Sequence, residues 1–287
     1  PKIKIINMNN KENYGKDFGM ISRTLYSEIN VALEKKQQSI ILHNRLGEGI
    51  KKIEVRLKKL FPYNTIARYD SQSIKTDYFT IINHFQKQKI DILLGTQMLA
   101  KGINFKNVSL IGVINADLGH TIPDFRTEEK SFQLLYQFLG RASQNIKNSR
   151  AVIQTFYPDN KLIKNIYKYD IKGCYTTILN NRKDLFYPPH SRLVRILITG
   201  KNISNLKLKS QKLTQLLNEN NQIQILGPSP APIENIKNTW RYNILIKDNK
   251  KNWLKFFNWF NQNNAIQKII KTNTIKTKID VDPNLFL

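Results

Sequence analysis

A chain of 287 residues with 40% hydrophobic content is long enough for one or two domains with a real core, and it nowhere runs to the roughly 20 consecutive apolar residues that cross a bilayer. A single cysteine, Cys174, excludes an internal disulfide and a cysteine-built zinc cage, and the opening PKIKIINMNN lacks the apolar segment of a secretory signal, so the expectation is a cytoplasmic protein with no membrane partner. The formal net charge of +25 points to a polyanion such as nucleic acid, although an excess of Lys over Arg with abundant Asn and Ile also fits drift in an AT-rich genome, and charge does not choose between DNA and RNA.

In chain order, residues 3–7 read as a strand. Because the sequence opens on Pro1 and enters that strand almost at once, a missing N-terminal portion is expected. Residues 20–35 carry Ile21, Leu25, Ile29 and Leu33 at four-residue steps, a helical stripe. Residues 39–43 form a short β-rich run, and residues 47–60 a basic helix with Ile50, Val55, Leu57 and Leu60 on its expected buried face. A strand over 65–69, a helix over 77–86 and strands over 90–94 and 108–114 follow. An amphipathic helix over 127–141 leads to a strand over 150–156 that is expected to close the sheet. Strands alternating with helices of this length argue for a parallel α/β layer through about Tyr157.

Beyond Pro158 the texture changes. Residues 162–185 read as helical, and Tyr187-Pro188-Pro189 breaks them, since proline has no amide donor and restrains its predecessor. A strand over 191–199 places Leu193, Arg195, Leu197 and Thr199 on one face; a helix over 203–217, a strand over 222–226 and a hard turn at Gly227-Pro228-Ser229-Pro230 come next. A strand over 241–246, an aromatic-rich helix over 252–270 and a last strand over 275–281 complete the order of a split βαβ sandwich. The expected division is a first domain 1–157, a helical connector 158–188 and a smaller α+β domain 189–287.

Polar groups gather where the strands of the first domain end, the edge at which open parallel sheets bind ligands. The run 92–94 drops into Gly95-Thr96: a glycine there lets backbone approach a phosphate, Thr96 offers a hydroxyl and an N–H, and Lys101-Gly102 adds a cation nearby, although Gly-Thr after a strand is more often only a turn. The run 108–114 ends at Asn115-Ala116-Asp117, where a lone aspartate is as often a cap as a catalytic group. The helix over 127–141 delivers Gln137, Gly140 and Arg141 at its far end. No G-x-x-x-x-G-K-[ST] occurs, and Gly47-Glu48-Gly49-Ile50-Lys51-Lys52 does not fit it, so the phosphate cradle of an ATPase is absent. His43, His84, His120 and His190 are scattered without metal-ligand spacing, and Cys174 has no evident catalytic partner, so no metal site is expected. In the second half Trp240, Arg241, Tyr242 and the cluster Trp253, Phe256, Phe257, Trp259 and Phe260 interleave with lysines, a composition that suits unpaired bases. Phe256, Phe257 and Phe260 at helical spacing fit a core better, which leaves Arg241 and Tyr242, with Lys237, as DNA-contact candidates.

Gly95-Thr96-Gln97-Met98-Leu99-Ala100-Lys101-Gly102 resembles the fifth helicase motif of the PriA family of replication-restart helicases. Pro123-Asp124-Phe125-Arg126, Gln133-Leu134-Leu135 and the stretch from Gln137 to Ala142 are similar to that family's path into its sixth motif. Asn44-Arg45 followed by Leu46-Gly47-Glu48-Gly49 looks like two family segments joined directly, without the zinc-binding module of eight cysteines between them; zinc is expected in the family, but its ligands are absent from this sequence. Tyr187-Pro188-Pro189, the string from Ile225 to Pro232, Arg241-Tyr242 and Asp280-Val281-Asp282-Pro283 resemble landmarks of the family's C-terminal domain, so the likeness covers essentially the whole chain.

The resemblance implies a RecA-like parallel-sheet second helicase lobe followed by the C-terminal domain. The family's activity is that of a 3′-to-5′ DNA helicase of superfamily two, which uses ATP and Mg²⁺ at forked and single-stranded DNA. Its partners are single-stranded-DNA-binding protein and primosome proteins, with which it reloads the replicative helicase. Carried onto this sequence, Gly95, Thr96, Lys101, Gly102 and Gly140 would couple DNA to the nucleotide cleft, and Gln137 and Arg141 would contact nucleotide. A fixed guanidinium at Arg141 could stabilise charge spreading over the transferred phosphoryl group. The match then departs: Gly140-Arg141 is followed by Ala142-Ser143-Gln144 where the family has Ala-Gly-Arg, and glutamine cannot supply the second arginine's charge. With the first lobe and its phosphate loop also absent, this chain alone is expected to be inactive. Two rival readings stay open: a non-catalytic DNA-binding relic of the helicase, and a basic RNA-binding protein.

Overall fold

A computed structural model describes residues 1–14, 20–43, 48–70, 78–100, 107–117, 124–143, 148–248 and 252–283. The chain divides into two compact units, Pro1–Thr121 with Arg126–Thr177, and Ile122–Phe125 with Ile178–Leu287. Among the described residues no helix is long and apolar enough to cross a membrane.

In the first unit β1 (Lys2–Asn7), β2 (Gln38–His43), β3 (Ile66–Tyr69), β4 (Ile92–Gly95), β5 (Val108–Ile114) and β6 (Arg150–Thr155) form one sheet in the order β1-β6-β5-β2-β4-β3. Every pairing is parallel. Helices α1 (Arg23–Glu34), α2 (Glu48–Leu60), α3 (Tyr78–Gln86), α4 (Thr127–Ser143) and α5 (Lys161–Tyr167) belong to this unit, as does the start of α6 (Ile171–Asp184). Every residue of β2, β4 and β5 is buried, as the continuous apolar strands of a sheet covered on both faces should be.

The start of α1 is fixed twice. The Ser22 hydroxyl accepts from Leu25 N at 3.1 Å, an N-cap, and the buried Gln154 side chain on β6 accepts from Ser22 N at 2.8 Å and donates to Met20 O at 2.7 Å. The expected stripe then packs: Ile21, Leu25 and Ile29 join Ile41, Ile50, Ile53, Leu57 and Leu110 in one core, with Leu33 half-buried beside it. On α1 the Glu28 carboxylate holds Lys4 Nζ at 2.8 Å and Arg150 at 2.7 Å, tying the helix to β1 and β6.

Three expectations for this unit need correction. On α2 the buried stripe is Ile50, Ile53 and Leu57, while Val55 is 57% exposed; at about 100° per residue Val55 falls on the far side of the helix from Ile50. The stretch 162–185 is two helices, parted where Tyr169 takes a left-handed backbone with φ 54 between α5 and α6. Rather than closing the sheet, β6 lies between β5 and β1, and β1 takes the edge.

In the second unit β7 (Arg192–Gly200), β8 (Gln224–Ile236), β9 (Thr239–Asp248) and β10 (Lys276–Val281) form an antiparallel sheet in the order β10-β7-β9-β8. Strands β7 and β8 therefore run the same way with β9 between them, the split βαβ arrangement. Helices α7 (Ile203–Asn218), α8 (Trp253–Gln262) and α9 (Asn264–Ile270) supply the other layer, and Val194, Ile196, Ile198, Ile244 and Ile246 meet Leu206, Leu213, Leu217, Phe256, Phe260 and Ile266 in the core.

Here Gly227-Pro228-Ser229-Pro230 does not end a strand. β8 runs on to Ile236 with shifts in its register against β9, and prolines are tolerated because β8 is an edge. Gly227 is needed at its position: its φ is +105, and a Cβ would lie 2.8 Å from the Asn243 carbonyl oxygen. The aromatic helix is also divided, because Asn263 ends α8 with extended backbone and its side chain caps α9 by accepting from Ile266 N at 3.1 Å.

Candidate functional site

Parallel strands deliver all their C-terminal ends to one edge, and the Gly-Thr pair sits there at the tip of β4. A Cβ on Gly95 would lie 2.7 Å from the Tyr69 carbonyl oxygen of neighbouring β3, so glycine is required by close approach. Thr96 N donates to that same oxygen at 3.4 Å, and Thr96 O accepts from Leu99 N at 2.9 Å, which opens a 3-10 turn over Gln97–Ala100. Thr96 is 2% exposed, and its hydroxyl has no hydrogen-bond partner among the described residues. Such a group lacks the bond that usually offsets burial.

The 3-10 turn packs against α4. That helix buries Phe132, Leu135, Phe138 and Leu139 and leaves Gln137 exposed. Gly140 lies one turn on, and a Cβ there would meet nothing within 4 Å among the described residues. Among the described residues no neighbour requires a glycine at this point, although glycine in a helix interior costs about 1 kcal/mol relative to alanine. The backbone of Arg141 belongs to α4, four residues after Gln137, so the two share a helix face. The Arg141 side chain, Lys101, Gly102 and the Asn44-to-Gly47 segment lie outside the described residues.

Asp117 is committed to the fold. Its carboxylate accepts from Thr155 Oγ1 and from Phe156 N, the latter at 2.7 Å, and so caps the end of β6. His43 is fully buried at the end of β2, where its ring fills the space a Cβ on Gly49 would take, while His84 and His190 are exposed. Cys174 is buried on α6, and burial with the nearby Asp170 pushes its thiol up to about 11. Among the described residues no three His, Cys, Asp or Glu side chains are grouped to hold a metal.

In the second unit Arg241 and Tyr242, adjacent on β9, point to opposite faces of the sheet. Tyr242 packs against the apolar core, whereas Arg241 donates to Ile233 O at 3.3 Å. Lys237 and Asn238 form the turn between β8 and β9, both with positive φ, 49 and 59. The face that carries Arg241 also carries Arg195, which is 5% exposed and donates from Nε to Asn243 Oδ1 at 3.0 Å; burial and then the nearby Arg241 lower its pKa against the pull of Asp280. Phe256 and Phe260 are core residues.

Sequence reasoning missed a layered cluster in this unit. Lys247 Nζ stands 3.5 Å above the Tyr187 ring and donates to Leu185 O at 2.9 Å; Tyr187 stacks on Phe125 at 5.1 Å, and Arg182 lies 5.0 Å from the other ring. Burial lowers the Lys247 pKa and, with Asp124, raises that of Tyr187. No local signal could have revealed it, since its members are far apart in sequence.

Two family models match the chain: the helicase conserved C-terminal domain over residues 22–161 and the primosomal protein N C-terminal domain over residues 183–284. The chain is 38% identical over 239 residues to the replication restart protein PriA of Borreliella burgdorferi, covering 82% of this chain and 35% of that protein. It is 37% identical over 205 residues to the protein of the same name from Bacillus subtilis, covering 70% and 26%. It thus spans about a third or less of these relatives' length. Among solved structures it is similar to the C-terminal domain of the DEAD-box protein Dbp5, with a TM-score of 0.39 and 16% identity, covering 60% of this chain and 86% of that one.

Proposed function

The chain belongs to the PriA family of replication restart proteins, and from that premise we propose that it is one half of an ATP-driven DNA helicase: the second helicase lobe with its DNA-gripping C-terminal domain. The observation that carries this reading is the tip of β4, where Gly95, the buried Thr96 hydroxyl and the 3-10 turn pack against the helix bearing Gln137, Gly140 and Arg141. In this reading Gly95, Thr96, Lys101, Gly102 and Gly140 couple DNA to the nucleotide cleft, Gln137 and Arg141 contact nucleotide, and Arg241, Lys237 and Tyr242 serve DNA. The domain scheme 1–157, 158–188 and 189–287 goes with it.

ATP would supply the phosphoanhydride whose cleavage drives such a motor, and in this reading the chain offers it the exposed Gln137, Gly140 and Arg141. Residues for Mg²⁺ are not grouped among the described residues, and a lone cysteine does not fit the family's zinc module. Both metals therefore stay outside the roles drawn for this chain. Forked DNA, single-stranded-DNA-binding protein and primosome proteins remain partners of the complete, two-lobed motor.

The test is fork-DNA binding and ATPase activity, measured on this chain and on the chain joined to a first lobe. Expected are salt-sensitive fork binding without turnover for the chain alone, and turnover once the first lobe is supplied, lost again on Arg141→Ala. Gln144, in place of the second arginine, favours a second reading, a DNA-binding relic; fork binding with no turnover after restoration would establish it. Equal affinity for structured RNA would instead favour the basic RNA-binding protein.

A further inference from the structure

A second feature of the strand-end edge is used by none of these roles. Beyond the ends of β1 and β6 lies a cavity of about 360 Å³, lined by Asn7, Asn9 and the stretch from Phe156 to Asn160. Its frame is held by short bonds. Asp117 accepts from Phe156 N at 2.7 Å, Asn9 Nδ2 donates to Phe156 O at 2.5 Å, Asn7 Oδ1 accepts from Asn9 N at 2.9 Å, and Asn160 Oδ1 accepts from Leu162 N at 2.8 Å.

Those bonds use only half of each carboxamide. The NH₂ groups of Asn7 and Asn160 and the oxygen of Asn9 keep no partner among the described residues, which leaves two donors and one acceptor. Beside them Phe156 is 43% and Tyr157 55% exposed. One exposed ring is ordinary on a protein surface; two consecutive ones beside three unspent amide groups in a cavity are a different matter.

The combination selects a ligand class. Aromatic faces suit a flat heterocycle, and carboxamides match the donor and acceptor edge of a base. A phosphate is disfavoured, because among the described residues no cation lines the cavity, and the one charged group that does is the Asp159 carboxylate, paired with Lys164 at 2.7 Å. We propose that this cavity takes one unpaired nucleobase, stacked on Phe156 or Tyr157 and bonded through its edge to Asn7, Asn9 and Asn160. The source of the base rests on the DNA-motor reading: it is a base of a single strand rather than of a free nucleotide.

The experiment uses the full chain and two variants that spare the fold. Tyr157→Leu keeps apolar area and removes the ring. Asn160→Asp keeps the oxygen that caps α5 and removes the donor. The probes are an oligo-dT carrying a single 2-aminopurine, the same oligonucleotide with an abasic residue at that position, and free 2-aminopurine nucleoside triphosphate. Expected is a fluorescence change on binding of the oligonucleotide, about tenfold weaker binding with Tyr157→Leu, a similar loss from the abasic residue, and little further loss when the two are combined. Asn160→Asp should weaken binding of the base-bearing strand and leave the abasic strand unaffected. Displacement of the signal by the free nucleotide at low concentration would uphold the base site and reassign its source. If both variants bind the intact and abasic strands as the parent chain does, the cavity assignment is wrong while the DNA reading stands. Failure to bind any strand or nucleotide would overturn both.

Discussion

The two sheets place their chemistry in different ways. In the first unit all six strands run in parallel and β2, β4 and β5 are buried from end to end, so those strands leave no face for polar work and the functional candidates collect where strands stop: Gly95-Thr96 at the tip of β4, Asp117 beyond β5, Phe156 and Tyr157 beyond β6. In the second unit neighbouring strands alternate in direction, and the two faces divide the labour. One face carries Val194, Ile196, Ile198, Ile244 and Ile246 into the core; the other carries Arg195, Arg241, Asn243 and Lys247. A parallel sheet offers an edge and an antiparallel one a surface, so the same substitution chemistry should have different consequences in each.

The largest expected effect tests the edge. Gly95→Val would push a side chain into the Tyr69 carbonyl and should cost about 3 kcal/mol of stability in denaturant unfolding. The counterpart on the face is Asn243→Leu, which removes the oxygen bonded to the buried Arg195 guanidinium and should cost about 2 kcal/mol. An Asn243→Leu chain as stable as the parent would show that the polar face of the second sheet contributes little to its fold.

A pH scan comes next in size. The Cys174 thiol titrates normally near 9 and is pushed up to about 11 in the fold, so the folded state holds its proton longer than the unfolded chain does. Its contribution is complete below pH 9 and drains away as pH rises from 9 toward 11, by about 2 kcal/mol. Cys174→Ala should remove that slope from the thermal stability profile, and alkylation of the native thiol at pH 8 should be far slower than in the unfolded chain.

Smaller effects sharpen the contrast between fold and function. Gly140→Ala meets no described neighbour and should stabilise α4 by about 0.5–1 kcal/mol, while the lobe-restored protein loses turnover if a backbone without a side chain is there to let nucleotide approach. Unchanged turnover would remove Gly140 from the site. Last, Lys237 holds φ 49 in the turn between β8 and β9, where a side chain is disfavoured, and Lys237→Gly should raise the melting temperature through about 0.5 kcal/mol. The same substitution should weaken DNA binding only by the loss of one phosphate contact, visible as a shallower salt dependence.

Much of this was legible in the sequence because it is local or periodic. The stripe Ile21, Leu25 and Ile29, the drop of β4 into Gly95-Thr96 and the strand–helix order of the second unit all follow from spacing along the chain. The sequence misleads where two local signals conflict. Val55 is apolar, yet its angular position on α2 turns it to solvent, and Gly227-Pro228 has the composition of a stop, yet an edge strand absorbs it as a bulge. What could not be read at all is made by residues distant in sequence: the layering of Lys247, Tyr187 and Phe125, and the amide-lined cavity that brings Asn7 beside Asn160. In a chain so rich in asparagine, no single Asn stands out before the backbone places it.

The stacking of Phe125 on Tyr187 has a practical consequence for anyone dissecting this protein. Phe125 belongs by its contacts with the second unit, although α4 and the chain from there up to Thr177 return to the first. No single cleavage point can therefore release two intact pieces: a fragment that begins after Thr177 leaves behind the ring that covers Tyr187, and its Lys247 loses the far side of its aromatic seat. Limited proteolysis should accordingly yield C-terminal products that lack Phe125 and melt at a lower temperature than the second unit of the uncut chain.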